Sequence, residues 1–598
     1  MCGIIGYVSQ NLNEETFRKA TCSLEHRGPD GLKIEGGDFD GLPWRLGHCR
    51  LSINDLSELG TQPMASPSGR YLMVYNGEIY NSPELRKECE ASGSIFKSQM
   101  DGEVILHLWE LEGSDCLKKL NGIFAICIVD TVGKSITIAR DPVGVKPLFY
   151  SNSDNRFCFA SEIEALNDLG INNGGLDSAG LAQFLTFLWI PAPNTPFKNI
   201  KALKPGEMAV YANSRLEAKR FSPVFTASSS SLSGATSELM AEVSLKIRQA
   251  ASRQLLSDVP IGIMASGGVD SGLIWANTSQ NLSLAYSISW DLIKNDSEGI
   301  SDDLVSARLV ASNFQTKLRE IPGDDWGGSG LPHSGDLFAD PAYELVRKMA
   351  VAAREDGLKV LFSGQGGDEI FGGYRRHAVA RVIGSKPHFS GLFFKGLYNL
   401  SKMKSGMNIS QEYISRLVLA LSEGDREKGY LQLCSYSTQE DRANALDLTS
   451  AEVSDDVVYK EHLEVFAVQP ANISFLRKAM SVDLNVYLPG LGLSYVDRAS
   501  MEAGIEVRVP LVDLELLKYS LDLPDNVLVR RGTTKWIAKQ AALAVLPPET
   551  VERPKRSFGA PASQVGSNTN SDNSRGYRQS RYFNHACQVL EKYREKYA

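Results

Sequence analysis

The sequence predicts a chain of two domains, the first built on packed β-sheets and the second of α/β class. Its 598 residues exceed what one compact domain usually holds. Residues 2–210 consist of short strand and turn patterns, and from residue 236 to 598 apolar residues recur at helical spacing. The stretch 211–235 has no such pattern and contains four consecutive serines, which predicts an interdomain linker.

Strands in the first domain are predicted from runs of β-branched and aromatic residues, and they favour sheets packed face to face. The strand candidates are Ile4–Val8, Tyr71–Tyr75, Ile123–Val129 and Ile136–Ala139. In the second domain, Leu239, Val243 and Ile247 follow the three- and four-residue spacing of a helix.

Composition fits an ordinary soluble globular protein, with 43% hydrophobic and 22% charged residues. The net charge of −8 argues against a nucleic-acid partner, and no apolar run is long enough to predict a membrane partner. The nine cysteines form no C-x-x-C pair and the eight histidines show no ligand spacing, so neither a disulfide scaffold nor a zinc site is predicted. We expect a reducing, cytoplasmic setting.

Cys2 lies directly behind the initiator methionine, which is commonly removed when a small residue follows. As the first residue of the mature chain, Cys2 would carry both a thiol and a free α-amino group. Their ordinary pKa values are about 8.5 and about 8, so the amine can accept the thiol's proton at neutral pH. A nucleophile and its base would then sit in one residue.

Four segments follow Cys2 in the first 150 residues, and each alone is typical of a turn or a strand end. They are His26–Asp30, Tyr75–Asn81, Asp101–Glu103 and Ala139–Tyr150. Together and in this order they resemble the class II glutamine amidotransferase domain, over residues 2 to about 205.

This resemblance implies roles for particular residues. Hydrolysis of a carboxamide passes through an oxyanion that needs fixed donors, and these would be Asn76 and Gly77 beside the catalytic Cys2. A guanidinium can hold the α-carboxylate of glutamine with two hydrogen bonds, and acids can hold its ammonium group. The implied glutamine-binding residues are Arg50, Leu51, Ser52, Ile53, Asn54, Asn76, Gly77, Glu78 and Asp101.

A second chemical centre is predicted where a buried strand, Pro260–Ala265, runs into the segment Ser266–Ser271. Helical pattern resumes at Leu273, so this glycine-rich turn leads into a helix N-terminus, which binds anions. The segment resembles the pyrophosphate-binding loop of ATP-pyrophosphatases, which adenylate a carboxylate. A carboxylate such as Asp270 in a phosphate loop would repel the phosphates unless a divalent cation lay between them, which predicts Mg²⁺. Asp368, which follows another apolar run, is the expected second acid.

The order of motifs resembles glutamine-hydrolysing asparagine synthetases along nearly the whole chain. The motifs are Ser266–Ser271, Ser363–Tyr374, Val496–Met501, Glu506–Pro510, Lys535 and Glu552–Lys555. The resemblance implies an N-terminal-nucleophile sandwich of four αββα layers. It also implies a C-terminal α/β domain with a parallel sheet, like that of adenine-nucleotide hydrolases, and an internal ammonia tunnel.

The same resemblance implies ATP as cosubstrate with Mg²⁺ held by Asp270 and Asp368. Lys535 would stabilise pyrophosphate or transition-state charge, and Gln365 stands at a catalytic position. The implied ATP-binding residues are Met264, Ser266, Gly267, Gly268, Asp270, Ser271, Ile288, Ser363 and Gly364.

The chain departs from the family near the implied acceptor site. Many members carry an acid where Gln365 stands, and an Asp-Glu-Pro segment is replaced by Gly335-Asp336-Leu337. Asp336, Asp340 and Glu344 are the acids that could compensate for the lost charge. Aspartate is the working acceptor, and the alternative is another carboxylate, such as a sugar uronate or a metabolite acid. The sequence does not fix the oligomeric state, and a homodimer is one option.

Overall fold

The structure of the chain is a computed structural model. It describes residues 2–11, 13–153, 155–171, 174–228, 232–290, 301–323, 330–385, 418, 420–421, 424–553, 565 and 577–597.

Two antiparallel sheets of six strands each form the first part of the chain. One sheet has the strand order β10-β8-β9-β1-β3-β2, and the other has the order β12-β11-β7-β6-β5-β4. The strands are β1 Cys2–Val8, β2 Gly31–Asp38, β3 Pro43–Arg50, β4 Met64–Ala65, β5 Tyr71–Ile79, β6 Gly122–Asp130, β7 Ser135–Arg140, β8 Phe149–Ser153, β9 Arg156–Ala160, β10 Lys201–Ala202, β11 Glu207–Ala212 and β12 Arg215–Arg220.

The sheets pack face to face, and helices cover their outer faces. Side-chain alternation along β1 places Ile4 in the core between the sheets and Ile5 in the core under the outer helices. The covering helices are Glu14–Cys22, Ile163–Asp168 and Ser178–Phe187 on the first sheet, and Ser82–Ala91 and Glu103–Glu112 on the second. The predicted four-layer αββα sandwich is confirmed.

The predicted linker at residues 211–235 needs correction, because β12 (Arg215–Arg220) lies inside it and extends the second sheet to residue 220. Five of the six residues of β12 are exposed, and the strand pairs on one side only, with β11. An exposed edge strand carries little apolar alternation, which is the pattern used to predict strands.

A five-stranded sheet forms the second part, in the order β15-β14-β13-β16-β17, and each of its neighbouring pairs is parallel. The carboxyl ends of parallel strands meet at one edge, where open α/β sheets bind ligands. This confirms the predicted parallel sheet. Its strands are β13 Ile261–Met264, β14 Leu282–Ser289, β15 Leu318–Pro322, β16 Val360–Phe362 and β17 Glu506–Arg508.

Helices surround this sheet and extend beyond it. Among the residues described, no helix combines the length and apolar character that crossing a bilayer requires. The α-helices are Thr236–Arg253, Val269–Thr278, Ser301–Asn313, Ala342–Glu355, Gly367–Phe371, Arg375–Ser385, Arg426–Cys434, Gln439–Leu446, Asp455–Val458, Lys460–Ala467, Phe475–Val482, Leu493–Met501, Leu514–Leu521, Asp525–Leu528, Trp536–Leu543, Pro548–Glu552 and Tyr577–Tyr597.

The two parts of the chain share one apolar core. Trp189, just after the Ser178–Phe187 helix, is fully buried and packs in the same cluster as Leu491 and Tyr495 of the second part. The π-helical segment Asp483–Gly492 approaches it so closely that a Cβ on Gly490 would lie 1.8 Å from Trp189 Cζ3. Glycine at 490 therefore permits the contact.

We expect Gly490→Ala to destabilise the protein by about 1–3 kcal/mol, because the added methyl group overpacks the indole ring. Gly31→Ala is the matched control, since a Cβ there meets no atom within 4 Å. Thermal unfolding of both variants checks this, and equal melting temperatures would contradict the tight contact at Gly490.

Candidate active sites

Cys2 begins β1 and is 7% exposed. The antiparallel register of β1 with β3 places Cys2 directly opposite Arg50, the last residue of β3. The backbone N–H of Cys2 donates a hydrogen bond of 2.9 Å to Asn76 Oδ1. Burial raises the pKa of the Cys2 thiol, while the nearby Arg50 guanidinium acts in the opposite direction. A neighbouring strand of the same sheet and a strand of the facing sheet thus place the thiol beside a cation and a side-chain amide.

Asn76 lies in β5 with its side chain fully buried. Its Nδ2 has no hydrogen-bond partner among the described residues. A buried donor without a partner is costly, so this group is set up to meet an acceptor supplied by a ligand. A Cβ on the neighbouring Gly77 would lie 2.0 Å from the Ile123 carbonyl oxygen, so only glycine fits there.

A cavity of about 30 Å³ opens beside the thiol. The structure brings eight of the predicted glutamine-site residues to its wall: Cys2, Arg50, Leu51, Ile53, Asn54, Gly77, Glu78 and Asp101. Asn76 and Ser52 are not part of that wall. The backbone N–H of Ser52 donates a hydrogen bond of 2.7 Å to Asp30 Oδ2. Gly60, Gln62, Tyr75 and Met100 also line the cavity. The sequence prediction missed Gly60, Gln62 and Met100, since no motif marks them.

Basic and acidic side chains line this cavity together. Arg50 donates from Nη1 to the Ser57 carbonyl at 2.7 Å and from Nη2 to the carbonyl of Asp55. Asp101 accepts from Tyr75 Oη at 2.9 Å and from the Ile79 N–H at 2.6 Å. Burial raises the pKa of Asp101. A guanidinium and two fixed acids, Asp101 and Glu78, suit the carboxylate and the ammonium of an amino acid.

Glu78 is also tied to the second part of the chain. One oxygen accepts from Asn54 Nδ2, and the other, Oε1, lies 3.3 Å from Nη2 of the buried Arg508. Arg508 ends β17, and its carbonyl accepts a 2.9 Å hydrogen bond from the N–H of Ser363. A single residue therefore contacts the cavity at Cys2 through its side chain and the second centre through its backbone.

The second centre is a cavity of about 320 Å³ at the carboxyl ends of β13 and β16. The structure brings nine predicted residues to its wall: Met264, Ser266, Gly268, Asp270, Ser363, Gly364, Gln365, Asp368 and Lys535. Both glycine-rich loops thus converge there, each leading from a strand into a helix, as predicted for a phosphate site.

Three predicted ATP contacts are not part of this wall: Gly267, Ser271 and Ile288. Gly267 has φ +65°, and a Cβ there would lie 2.1 Å from the Asp303 carbonyl, so its role is to make the turn. Ser271 is buried behind the loop, with its Oγ 3.0 Å from Ser266 Oγ. Ile288, in β14, belongs to the apolar core.

Asp270 and Asp368 converge on one cation in the structure, the ammonium of Lys535. Its Nζ contacts Asp270 Oδ2 and lies 2.7 Å from Asp368 Oδ1. Burial disfavours the charged amine, but Asp270 and then Asp368 raise the pKa of Lys535 above its ordinary value. A Cβ on Gly373 would lie 2.0 Å from Asp368 Oδ1, so the chain leaves room for the acid only because glycine is there.

Two of the three acids that were predicted to replace the lost negative charge near the acceptor site pair with arginines. Asp336 Oδ2 accepts from Arg498 Nε at 2.7 Å, and Glu344 pairs with Arg347 at 2.7 Å. Of the three, only Asp340 lines the cavity. The expectation for Asp336 and Glu344 is therefore wrong, because each has an arginine partner.

Several cavity residues were missed from the sequence. Gln365 Nε2 donates to Tyr495 Oη at 2.5 Å, so the amide is held by a tyrosine of the Leu493–Met501 helix. Arg553 pairs with Asp303, and both line the cavity, as does Lys539. Arg553 lies in a motif that carried the family resemblance and could have been identified there. Asp303 and Lys539 lie in no motif.

Comparisons with known proteins agree with this division of the chain. A glutamine amidotransferase domain family matches residues 1–222, and an asparagine synthase family matches residues 242–574. Glutamine-hydrolysing asparagine synthetase 1 of Bacillus subtilis (strain 168) is 27% identical over 580 residues, covering 94% of this chain and 87% of that protein. Asparagine synthetase 3 of the same organism is 28% identical over 598 residues, covering 93% and 87%.

Among solved structures, a glutamine phosphoribosylpyrophosphate amidotransferase from B. subtilis aligns with a TM-score of 0.30 and 16% identity. It covers 64% of this chain and 77% of that one. The asparagine synthase match spans more than half of the sequence, and the amidotransferase match contains Cys2. The chain therefore belongs to the asparagine synthase family and is a glutamine-hydrolysing carbon–nitrogen ligase.

Proposed function

We propose that the chain makes asparagine from aspartate, using ATP to adenylate the acceptor and glutamine to supply ammonia. The observation that carries this proposal is the presence of two separate cavities in one chain, one at a thiol and one at paired carboxylates. We assign glutamine hydrolysis to residues 2–220 and synthesis to residues 236–598.

In the first cavity, the Cys2 thiol attacks the carboxamide carbon of glutamine, and the α-amine of a processed chain accepts the thiol proton. Burial raises the pKa of the thiol, so a base within the same residue is needed to take its proton. Asn76 Nδ2 and the Gly77 N–H stabilise the oxyanion, which gives the unpartnered amide of Asn76 its acceptor. Arg50 binds the α-carboxylate, and Glu78 and Asp101 bind the ammonium group.

Cys2→Ala should abolish glutamine-dependent synthesis and keep synthesis with added ammonium, because only the source of ammonia is lost. The measurement is product formation with each nitrogen donor. A chain that retains Met1 is a second variant, since it keeps the thiol but has no free amine on Cys2, and it should show the same pattern. Failure of ammonium to rescue Cys2→Ala would mean that the two chemistries are not divided in this way.

In the second cavity, the loops Ser266–Ser271 and Ser363–Gln365 bind the phosphates of ATP. Asp270 and Asp368 fit a divalent cation, because both carboxylates already converge on one ammonium group. Mg²⁺ at this place would neutralise phosphate charge when bound. Lys535, whose Nζ lies between the two acids, then stabilises the charge that develops on pyrophosphate as the acceptor carboxylate attacks the α-phosphorus.

Asp368→Asn should lower synthesis by two or more orders of magnitude and leave glutamine hydrolysis intact, because Asp368 lies in the second cavity alone. Glutamate release and nucleotide products are measured together. We expect AMP and pyrophosphate, and accumulation of ADP with phosphate would contradict adenylation. Asp38→Asn, on the exposed end of β2, is the control that should change neither activity.

A second candidate function is amidation of an acid that carries no ammonium group, such as a sugar uronate. It is favoured by the neutral Gln365 and by the arginine partners of Asp336 and Glu344. These contacts leave Asp340 as the one member of the predicted acidic set on the cavity wall.

Product assays with aspartate and with galacturonate separate the two candidates. With aspartate as acceptor, asparagine and AMP should form in equal amounts, and Asp340→Asn should raise the KM for aspartate more than it lowers kcat. If pyrophosphate release is no faster with aspartate than without an acceptor but rises with galacturonate, asparagine synthesis is wrong and the second candidate holds.

A further inference from the structure

Two histidines and a glutamate meet outside both cavities, where the two parts of the chain are in contact. His26 lies after the Glu14–Cys22 helix, Glu162 lies after β9, and His333 belongs to the second part. One ligand atom from each of the three residues lies within 4.8 Å of the other two. Sequence spacing could not reveal this cluster, because its members are far apart along the chain.

The distances fit a metal site that needs one small adjustment. His26 Nε2 lies 3.1 Å from each oxygen of Glu162. In a tetrahedral site with bonds of about 2.0–2.1 Å, neighbouring ligand atoms are about 3.3 Å apart, so this pair already has the required spacing. The rings of His26 and His333 have centroids 4.6 Å apart at an angle of 62°. His333 is exposed, so its ring is free to turn toward the other two ligands.

The backbone around the cluster is fixed from both parts of the chain. The N–H of His333 donates to Glu502 Oε1 at 3.0 Å, and the Glu164 N–H donates to the Ser334 carbonyl at 3.0 Å. Arg27 Nη1 donates to Glu162 Oε1 at 2.8 Å, which orients the buried carboxylate. Hydrogen bonds of this kind hold ligating carboxylates in place. Arg27 Nη1 bonds to Oε1, and the other oxygen, Oε2, lies 3.1 Å from His26 Nε2, the spacing of two ligands of one ion.

We propose that His26, Glu162 and His333 bind one divalent transition-metal ion of the zinc type. Two imidazoles and one carboxylate are ligands that Zn²⁺ accepts, whereas Mg²⁺ prefers oxygen alone. The site takes two ligands from the first part of the chain and one from the second. A bound ion therefore stabilises the contact between them, because it binds the docked state only.

Zn²⁺ affinity is measured by competition with a chromophoric chelator, using the full-length chain. We expect one Zn²⁺ per chain at this site, a Kd at least about tenfold weaker in His333→Ala, and recovery of binding in His333→Cys, which restores a ligand. Cys22→Ser is the control for a partly exposed thiol near the cluster in sequence, and it should leave the Kd unchanged. Equal affinities of the native chain and His333→Ala, or loss of affinity in Cys22→Ser, would overturn the proposal.

Thermal unfolding provides an independent readout. Zn²⁺ should raise the melting temperature of the native chain and not that of His333→Ala, while Mg²⁺ should not reproduce the increase. With EDTA present, the two proteins should melt together, which shows that the variant folds. If His333→Ala melts lower in EDTA, His333→Gln repeats the comparison with a polar side chain. A Zn²⁺-induced increase that persists in both variants would exclude His333 as a ligand.

Discussion

The arrangement of both centres depends on the fully buried guanidinium of Arg27. It pairs with Glu162 of the first part at 2.8 Å and with Asp497 of the second part at 2.9 Å. Its Nε also donates to the carbonyl of Cys2 at 3.3 Å. Removing one partner from such a buried group leaves an uncompensated charge, which is strongly destabilising. The position of Cys2 and the docking of the two parts are consequently determined together.

Asp497, the second partner of Arg27, lies in the helix Leu493–Met501, whose side chains contact three different parts of the molecule. Burial would raise the pKa of Asp497, but Arg27 and then Lys146 lower it below its ordinary value, so the acid stays charged. Two residues earlier in the same helix, Tyr495 accepts a hydrogen bond from Gln365 on the wall of the larger cavity. The next residue after Asp497, Arg498, pairs with Asp336. Charge pairing at the interface thus also positions a wall of the larger cavity.

Much of the fold could be predicted because local pattern and tertiary structure agree. Ile4–Val8 alternates between two apolar environments, and the loop at Ser266–Ser271 has the glycines that its turn requires. The edge strand β12 could not be predicted, because its side chains are mostly exposed and its partner is a neighbouring strand, which a local pattern does not show.

Contacts between residues that are far apart in the sequence could not be predicted, and these contacts limited the prediction of the sites. The motif-based predictions included most of the residues around the cavity at Cys2 but fewer than half of those around the larger cavity, because many residues of the larger wall lie in no motif. Asp336 was misjudged because its arginine partner lies far along the chain, and the approach of His333 to His26 depends on the docking of two domains. Contacts of this kind follow from tertiary structure, and no spacing within one segment encodes them.

Arg508 has a consequence for how the two reactions respond to each other. Its backbone carbonyl accepts a hydrogen bond from the N–H of Ser363 on the wall of the larger cavity, and its guanidinium lies 3.3 Å from Glu78 on the wall of the cavity at Cys2. A shift of β17 on nucleotide binding would change the electrostatic field at Glu78. Linkage between two ligands is reciprocal, so glutamine would alter the affinity for ATP by the same factor as ATP alters the affinity for glutamine.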